Sequence, residues 1–160
     1  MKHKRLHSGF TLIEMIVTVA LVAIIASVAT PFVKVYEQRE KERELKQALR
    51  EMRTAIDAYK LAGDEGRIGR SIDSTGYPQS LDELVTGVAD KRDPKGRKIF
   101  FLRRVPRDPM NPTPSGPAQD SWGRRSYSSE ADDPQGDGDV YDVFSLSNSK
   151  GTNGIPYREW

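Results

Sequence analysis

An apolar run from Phe10 to Val33, broken by a single acid at Glu14, limits this chain more than any other feature. Between Met15 and Val33 there is no charged residue. At about 1.5 Å rise per residue the run makes a helix of about 36 Å, enough to cross a bilayer core with tilt. Upstream stand Lys2, His3, Lys4, Arg5 and His7. Basic flanks stay cytoplasmic, so the sequence predicts a single span with the rest of the chain on the outer side. Glu14 then needs a reason. A carboxylate in hydrocarbon costs about 3 kcal/mol on insertion scales, less near an interface, and charges kept there usually serve a function with a partner.

The helical pattern continues beyond the apolar run. From Lys34 to Leu61 the sequence is charged, with Leu45, Ala48, Leu49, Met52, Ala55, Ile56 and Tyr59 at spacings of three and four. That is one apolar stripe on a solvated helix, and it needs a sheet or a neighbour to cover it. Glu37–Lys41 and Glu42–Lys46 read as surface pairs four residues apart. Pro31 removes an amide donor and clashes with the Ser27 carbonyl, so a kink or a locally melted turn is expected there. Gly63 is the expected helix stop. The glycine-rich stretch 63–76 reads as a loop packed over the helix. Ser80 and Glu83 form a predicted capping box for a short second helix that Gly87 ends. Lys98–Val105 reads as an ordered connector or edge strand, and Asp108–Pro114 holds too many prolines for regular structure. Ser121–Ser129 and Val140–Leu146 predict an antiparallel hairpin around an acidic turn, with a third short strand or coil at the C-terminus.

Composition closes several other routes. The formal charge is +2, and without Lys2, Lys4 and Arg5 the chain holds 22 basic against 23 acidic residues. A near-neutral chain gives no argument for nucleic acid. There is no cysteine, both histidines (His3 and His7) lie in the basic leader, and no nucleophile elbow or phosphate loop occurs. The expectation is therefore a chain that is not an enzyme and carries no cofactor.

Gly9-Phe10-Thr11-Leu12-Ile13-Glu14 resembles the cleavage and methylation motif of type IV pilins and type II secretion pseudopilins. The resemblance implies that a prepilin peptidase cuts after Gly9, that the new terminus at Phe10 is N-methylated, and that Glu14 neutralises the terminal ammonium of a neighbouring subunit. Two isolated charges in low dielectric are each expensive, and pairing them offsets much of that cost. In the family the position of Pro31 matches a segment that unwinds on assembly. Arg107-Asp108-Pro109, Asp120-Ser121-Trp122-Gly123, Tyr127 and Asp142-Val143-Phe144-Ser145-Leu146 resemble the corresponding blocks of the major pseudopilins of type II secretion, with Trp160 at the matching end. The absence of a disulfide in an exported domain leans the same way.

The resemblance implies an α+β, type IV pilin-like fold: a long N-terminal α-helix, transmembrane first and amphipathic second, packed on a small antiparallel β-sheet. Its expected parts are a cleaved leader at 1–9, a membrane and polymerisation helix at 10–33, the amphipathic half at 34–62, and a periplasmic globular domain at 63–160. It also implies a homo-oligomeric helical filament in the inner membrane and periplasm of a Gram-negative bacterium, working with an assembly platform and minor pseudopilins. Other readings stand beside it. Glu14 four residues from Phe10 can pair with its own ammonium. Ser27-Val28-Ala29 reads as a small-residue signal-peptidase site. A plain single-span anchor, a surface type IV pilus subunit for adhesion, motility or DNA uptake, and a secreted or anchored monomeric binding module complete the set.

Major pseudopilins of this kind hold calcium in the last loop through two aspartates and backbone carbonyls. Here the loop at 147–159 has no aspartate. Asn148, Asn153 and Glu159 are weak candidate ligands, because calcium wants six to eight oxygens, several of them anionic. Lys150 and Arg158 oppose a cation. Asp132, Asp133, Asp137 and Asp139 crowd the preceding turn, but they do not fit the EF-hand spacing and read as a solvated acidic turn.

Overall fold

The computed structural model describes residues 9–71, 74–111, 116–136 and 138–160, with the backbone alone at 28–31. The basic leader 1–8 and Asp137 therefore lie outside the described residues. One helix, α1, runs Leu12–Asp64. The chain divides into two compact units, Met1–Gln38 and Arg39–Trp160.

In the first unit α1 passes through Pro31 as helix, so the expected melted turn is absent. A proline removes one ladder hydrogen bond, and the turns on either side carry the helix across the gap.

In the second unit the apolar stripe of α1 is the centre of the core. Leu45, Leu49, Met52 and Ile56 are at most 2% exposed. Tyr59 packs at the margin, its ring 5.3 Å from that of Phe101. The helix ends two residues later than predicted, at Asp64. Gly63 stays helical, and Gly66, at φ 70°, takes the left-handed position instead. The Arg67 amide donates to the Ala62 carbonyl and the Gly66 amide to that of Gly63, which is a Schellman closure. Ile68 then folds back beneath the loop, 2% exposed.

Helix α2, Leu81–Thr86, presents Leu84 to the stripe and stops at Gly87. Its Ser80–Glu83 capping box does not form. The Ser80 hydroxyl caps nothing, whereas Glu83 reaches back to the Gln79 amide at 3.1 Å. The strands form two separate antiparallel pairs rather than one sheet. Val88–Ala89 (β1) pairs with Lys98–Ile99 (β2), and Trp122–Arg125 (β3) with Asp142–Ser145 (β4). Arg103–Pro109, with two prolines that donate no amide, separates the pairs, and Leu102 and Val105 anchor the connector in the core. No third strand follows. The C-terminal stretch makes a single bridge, Lys150 to Pro156, and a 3-10 turn at Tyr157–Glu159. This is an α+β architecture: one long helix with small antiparallel strand pairs.

Burial pushes the Tyr59 phenol up to about 12, helped by the nearby Glu83 carboxylate. The folded state keeps its proton where the unfolded chain, at about 10, has lost it. Stability from this group is complete below pH about 10 and is lost as pH rises through about 12. The urea midpoint should therefore fall between pH 9 and pH 11.5. Tyr59→Phe should flatten that slope, leaving the smaller part due to Tyr77, which burial also raises. An unchanged slope in the variant would refute the assignment.

Candidate functional site

Gly9 and Phe10 precede α1 in open chain, and Phe10 is 79% exposed. Thr11 starts the helix. Its hydroxyl accepts the Glu14 amide at 3.3 Å and its carbonyl accepts the Met15 amide at 3.1 Å. Thr11-Leu12-Ile13-Glu14 thus has the spacing of a capping box, and Glu14 lies in the first turn, where the helix dipole favours an anion. This cap was legible as a Thr-x-x-Glu motif before an apolar run, and reading the segment for its acid alone misses it. A local role for Glu14 therefore coexists with any role between subunits.

The rest of the helix start is greasy and uncovered. Leu12, Ile13, Ile16, Val19, Val22 and Ile25 are all exposed, and among the described residues none of the most apolar stretch is buried. By length and composition the helix can cross a membrane. Two hydroxyls within it are already satisfied. Thr18 donates to the Met15 carbonyl at 2.9 Å and Ser27 to that of Ala23 at 2.8 Å. Such back-bonding is what lets a polar side chain sit in lipid. Among the described residues, the Glu14 carboxylate has no hydrogen-bond or ion-pair partner. The side chain of Pro31 is not described, and its backbone is helical.

In the second unit, three of the sequence blocks singled out above meet at one buried acid. Asp108, 2% exposed, accepts the Ser145 hydroxyl at 2.6 Å and the Met110 amide at 2.8 Å. Its own amide donates to the Ser121 hydroxyl at 3.1 Å, and the Trp122 indole donates to the Pro106 carbonyl at 2.7 Å. The Arg-Asp-Pro, Ser-Trp-Gly and Ser-Leu blocks are therefore parts of one hydrogen-bond network, which ties the connector to the β3–β4 pair. A buried carboxylate is tolerable because its oxygens have these donors. In the acidic turn, Asp132 and Asp133 are exposed as expected, but Asp139 is not. It accepts the Tyr127 amide at 2.8 Å and the Thr75 hydroxyl, and so it closes the turn.

The C-terminal loop lies against the polar flank of α1. Glu42, 6% exposed, accepts the Thr152 amide and the Thr152 hydroxyl, each at 2.7 Å, and the Tyr157 hydroxyl at 3.0 Å. Eleven residues along the helix, Arg53 donates to Asp142 and to the Trp160 carbonyl, both at 2.8 Å. Lys46 stands over the Trp160 ring, 4.5 Å from its centroid. The expected Glu42–Lys46 surface pair is thus replaced, because loop and indole cover that flank and draw both side chains to themselves.

Asn148 is exposed, Asn153 accepts the Ile155 amide at 3.0 Å within its own turn, and Glu159 is exposed on the 3-10 turn. Among the described residues, no group of three or more His, Cys, Asp or Glu is placed to hold a metal.

Against this geometry, comparison with known proteins finds one family model and several curated relatives. Residues 4–30 match the family model described as the prokaryotic N-terminal methylation motif. The chain is 32% identical over 110 residues to type II secretion system core protein G of Pseudomonas aeruginosa, covering 66% of this chain and 70% of that protein. It is 29% identical over 110 residues to the core protein G of Aeromonas hydrophila, covering 66% and 69%. Type IV major fimbrial protein FimA of Dichelobacter nodosus is 39% identical over 64 residues, or 40% of this chain and 41% of that one. No solved structure matches the chain.

Proposed function

The chain belongs to the family of type II secretion system core protein G, among pilin-like proteins with the N-terminal methylation motif, and on that premise we propose that it is the subunit of a periplasmic secretion filament. A prepilin peptidase removes the leader after Gly9 and methylates the amine of Phe10. The subunit waits in the inner membrane as a single span with its head in the periplasm. Minor pseudopilins and an inner-membrane platform start and drive assembly. Each helix leaves lipid for a bundle of identical helices, and close packing there offsets the lost lipid contacts. Its role is structural, with no reaction of its own.

One observation carries this reading. In an exposed apolar helix where Thr18 and Ser27 bond their own backbone, one carboxylate stands in the first turn without a partner among the described residues. A new ammonium at Phe10 of a neighbour is a charge of the right sign at the right depth. Only one axial stagger brings the two together, so the pair sets the register of the filament. Mass spectrometry of the mature N-terminus tests the reading, with a chain beginning at methylated Phe10 as the expected result. A retained basic leader, or a mature chain beginning at Thr30, would overturn it.

The likeness to a fimbrial protein favours one second reading, a surface pilus subunit. Deleting the gene separates the two. Lost secretion with normal twitching supports the secretion filament, and the reverse supports the pilus.

A further inference from the structure

The C-terminal loop has the place in the fold where the resemblance implies calcium, yet its residues do not fit one. The Asn153 carbonyl oxygen is taken by the Ile155 amide. The space beside the loop is filled by protein, since a Cβ built on Gly151 would lie 2.3 Å from the Trp160 indole and 2.7 Å from the Asn153 side-chain oxygen. A cation is already present in the chain itself, because the Lys46 ammonium covers the indole face at 4.5 Å. Indole faces attract such a charge.

The loop has another means of closure. Both Glu42 oxygens point at it, one accepting the Thr152 amide and the Tyr157 hydroxyl, the other the Thr152 hydroxyl. These bonds join α1 to residues 110 and 115 positions further along the chain. Hydrogen bonds to a buried carboxylate are among the stronger ones, and the loss of one partner leaves the others poorly satisfied. The loop is also braced within itself. Gly151 donates to the Ile155 carbonyl at 2.8 Å, and the Tyr157 and Trp160 rings meet edge to face at 5.0 Å.

We propose that Glu42 is a built-in anionic latch that closes the loop at 147–159, so that the head of this subunit folds without a divalent cation. The carboxylate of α1 supplies from inside the fold the closure that a bound cation would supply from solution. Three sides of the loop are then held by one helix flank: Glu42 on Thr152 and Tyr157, Lys46 on the indole, and Arg53 on the Trp160 carbonyl. The latch is a property of the head and does not depend on the filament reading.

The test uses the full chain in detergent micelles, with thermal unfolding followed by tryptophan fluorescence and the Thr152 amide followed by hydrogen exchange. Wild-type protein in EDTA and in millimolar calcium should unfold within about 1 °C of each other, with Thr152 protected in both. Glu42→Gln removes the charge and leaves one acceptor oxygen in place of two for the Thr152 and Tyr157 donors. It should lower the midpoint by about 5 °C and expose Thr152 to exchange, and calcium should restore neither. Should that variant fold poorly, Thr152→Val keeps the carboxylate and its Tyr157 bond and should give a smaller fall, again blind to calcium. A wild-type midpoint that drops in EDTA and recovers with calcium would overturn the latch, as would Glu42→Gln with Thr152 still protected.

Discussion

Glu14→Ala subunits are expected to be cut, methylated and inserted as the wild type is, and yet to yield filaments at less than about one tenth of its level. The leader and the apolar run are untouched, so processing and insertion have no reason to change. The substitution leaves the Phe10 ammonium of each neighbour without its counter-charge inside a bundle of apolar helices. Removing one partner of a buried pair costs about 3–5 kcal/mol, and each 1.4 kcal/mol is about a factor of ten in an equilibrium. Sheared filament mass per membrane-bound subunit measures the effect. Glu14→Asp keeps the charge but shortens its reach and should fall between the two. If filaments of Glu14→Ala form at the wild-type level, the pairing does not set register, and the favourable place of an anion in the first turn is the whole role of the side chain.

Met52→Ala should be the most damaging single change to the head. Met52 is fully buried at the middle of the α1 stripe, in the core shared with Leu84, Trp122 and Val143. Truncation to alanine removes its contacts and leaves a cavity that neighbours on a long helix and a short hairpin cannot collapse to fill. Such changes cost about 2–5 kcal/mol, which for a head of this size lowers the thermal midpoint by about 10 °C. Leu61→Ala, on the same helix but 59% exposed, is the control and should shift the midpoint by less than about 2 °C. Equal losses for the two would mean that helix propensity, and not the core, governs the stability of the head.

Local rules read best where the structure is local. The stripe from Leu45 to Tyr59 is legible because a helix buries residues at its own period, and every member proves buried or packed against the core. The β3–β4 pairing is legible because two segments carrying aromatic and β-branched residues flank a turn of Asp, Pro and Gly. Boundaries read less well. Gly63 and Gly66 are equally plausible helix stops by composition, and the choice of Gly66 follows from where Ile68 can reach the core.

The apolar run, its lone acid and the motif at Gly9–Glu14 are properties of the chain in order, and no folding is needed to read them. Charge, hydropathy and spacing act within one helix, so the sequence by itself determined a helix able to cross a membrane, and the family. Glu42 and Asp108 are different. As letters they belong to a solvated helix face and a proline-rich connector, and nothing nearby in the chain announces their burial. Their partners, Thr152, Tyr157 and Ser145, lie 110, 115 and 37 positions away. Only the folded head brings those donors up to the carboxylates, and a buried charge is stable only where such donors converge.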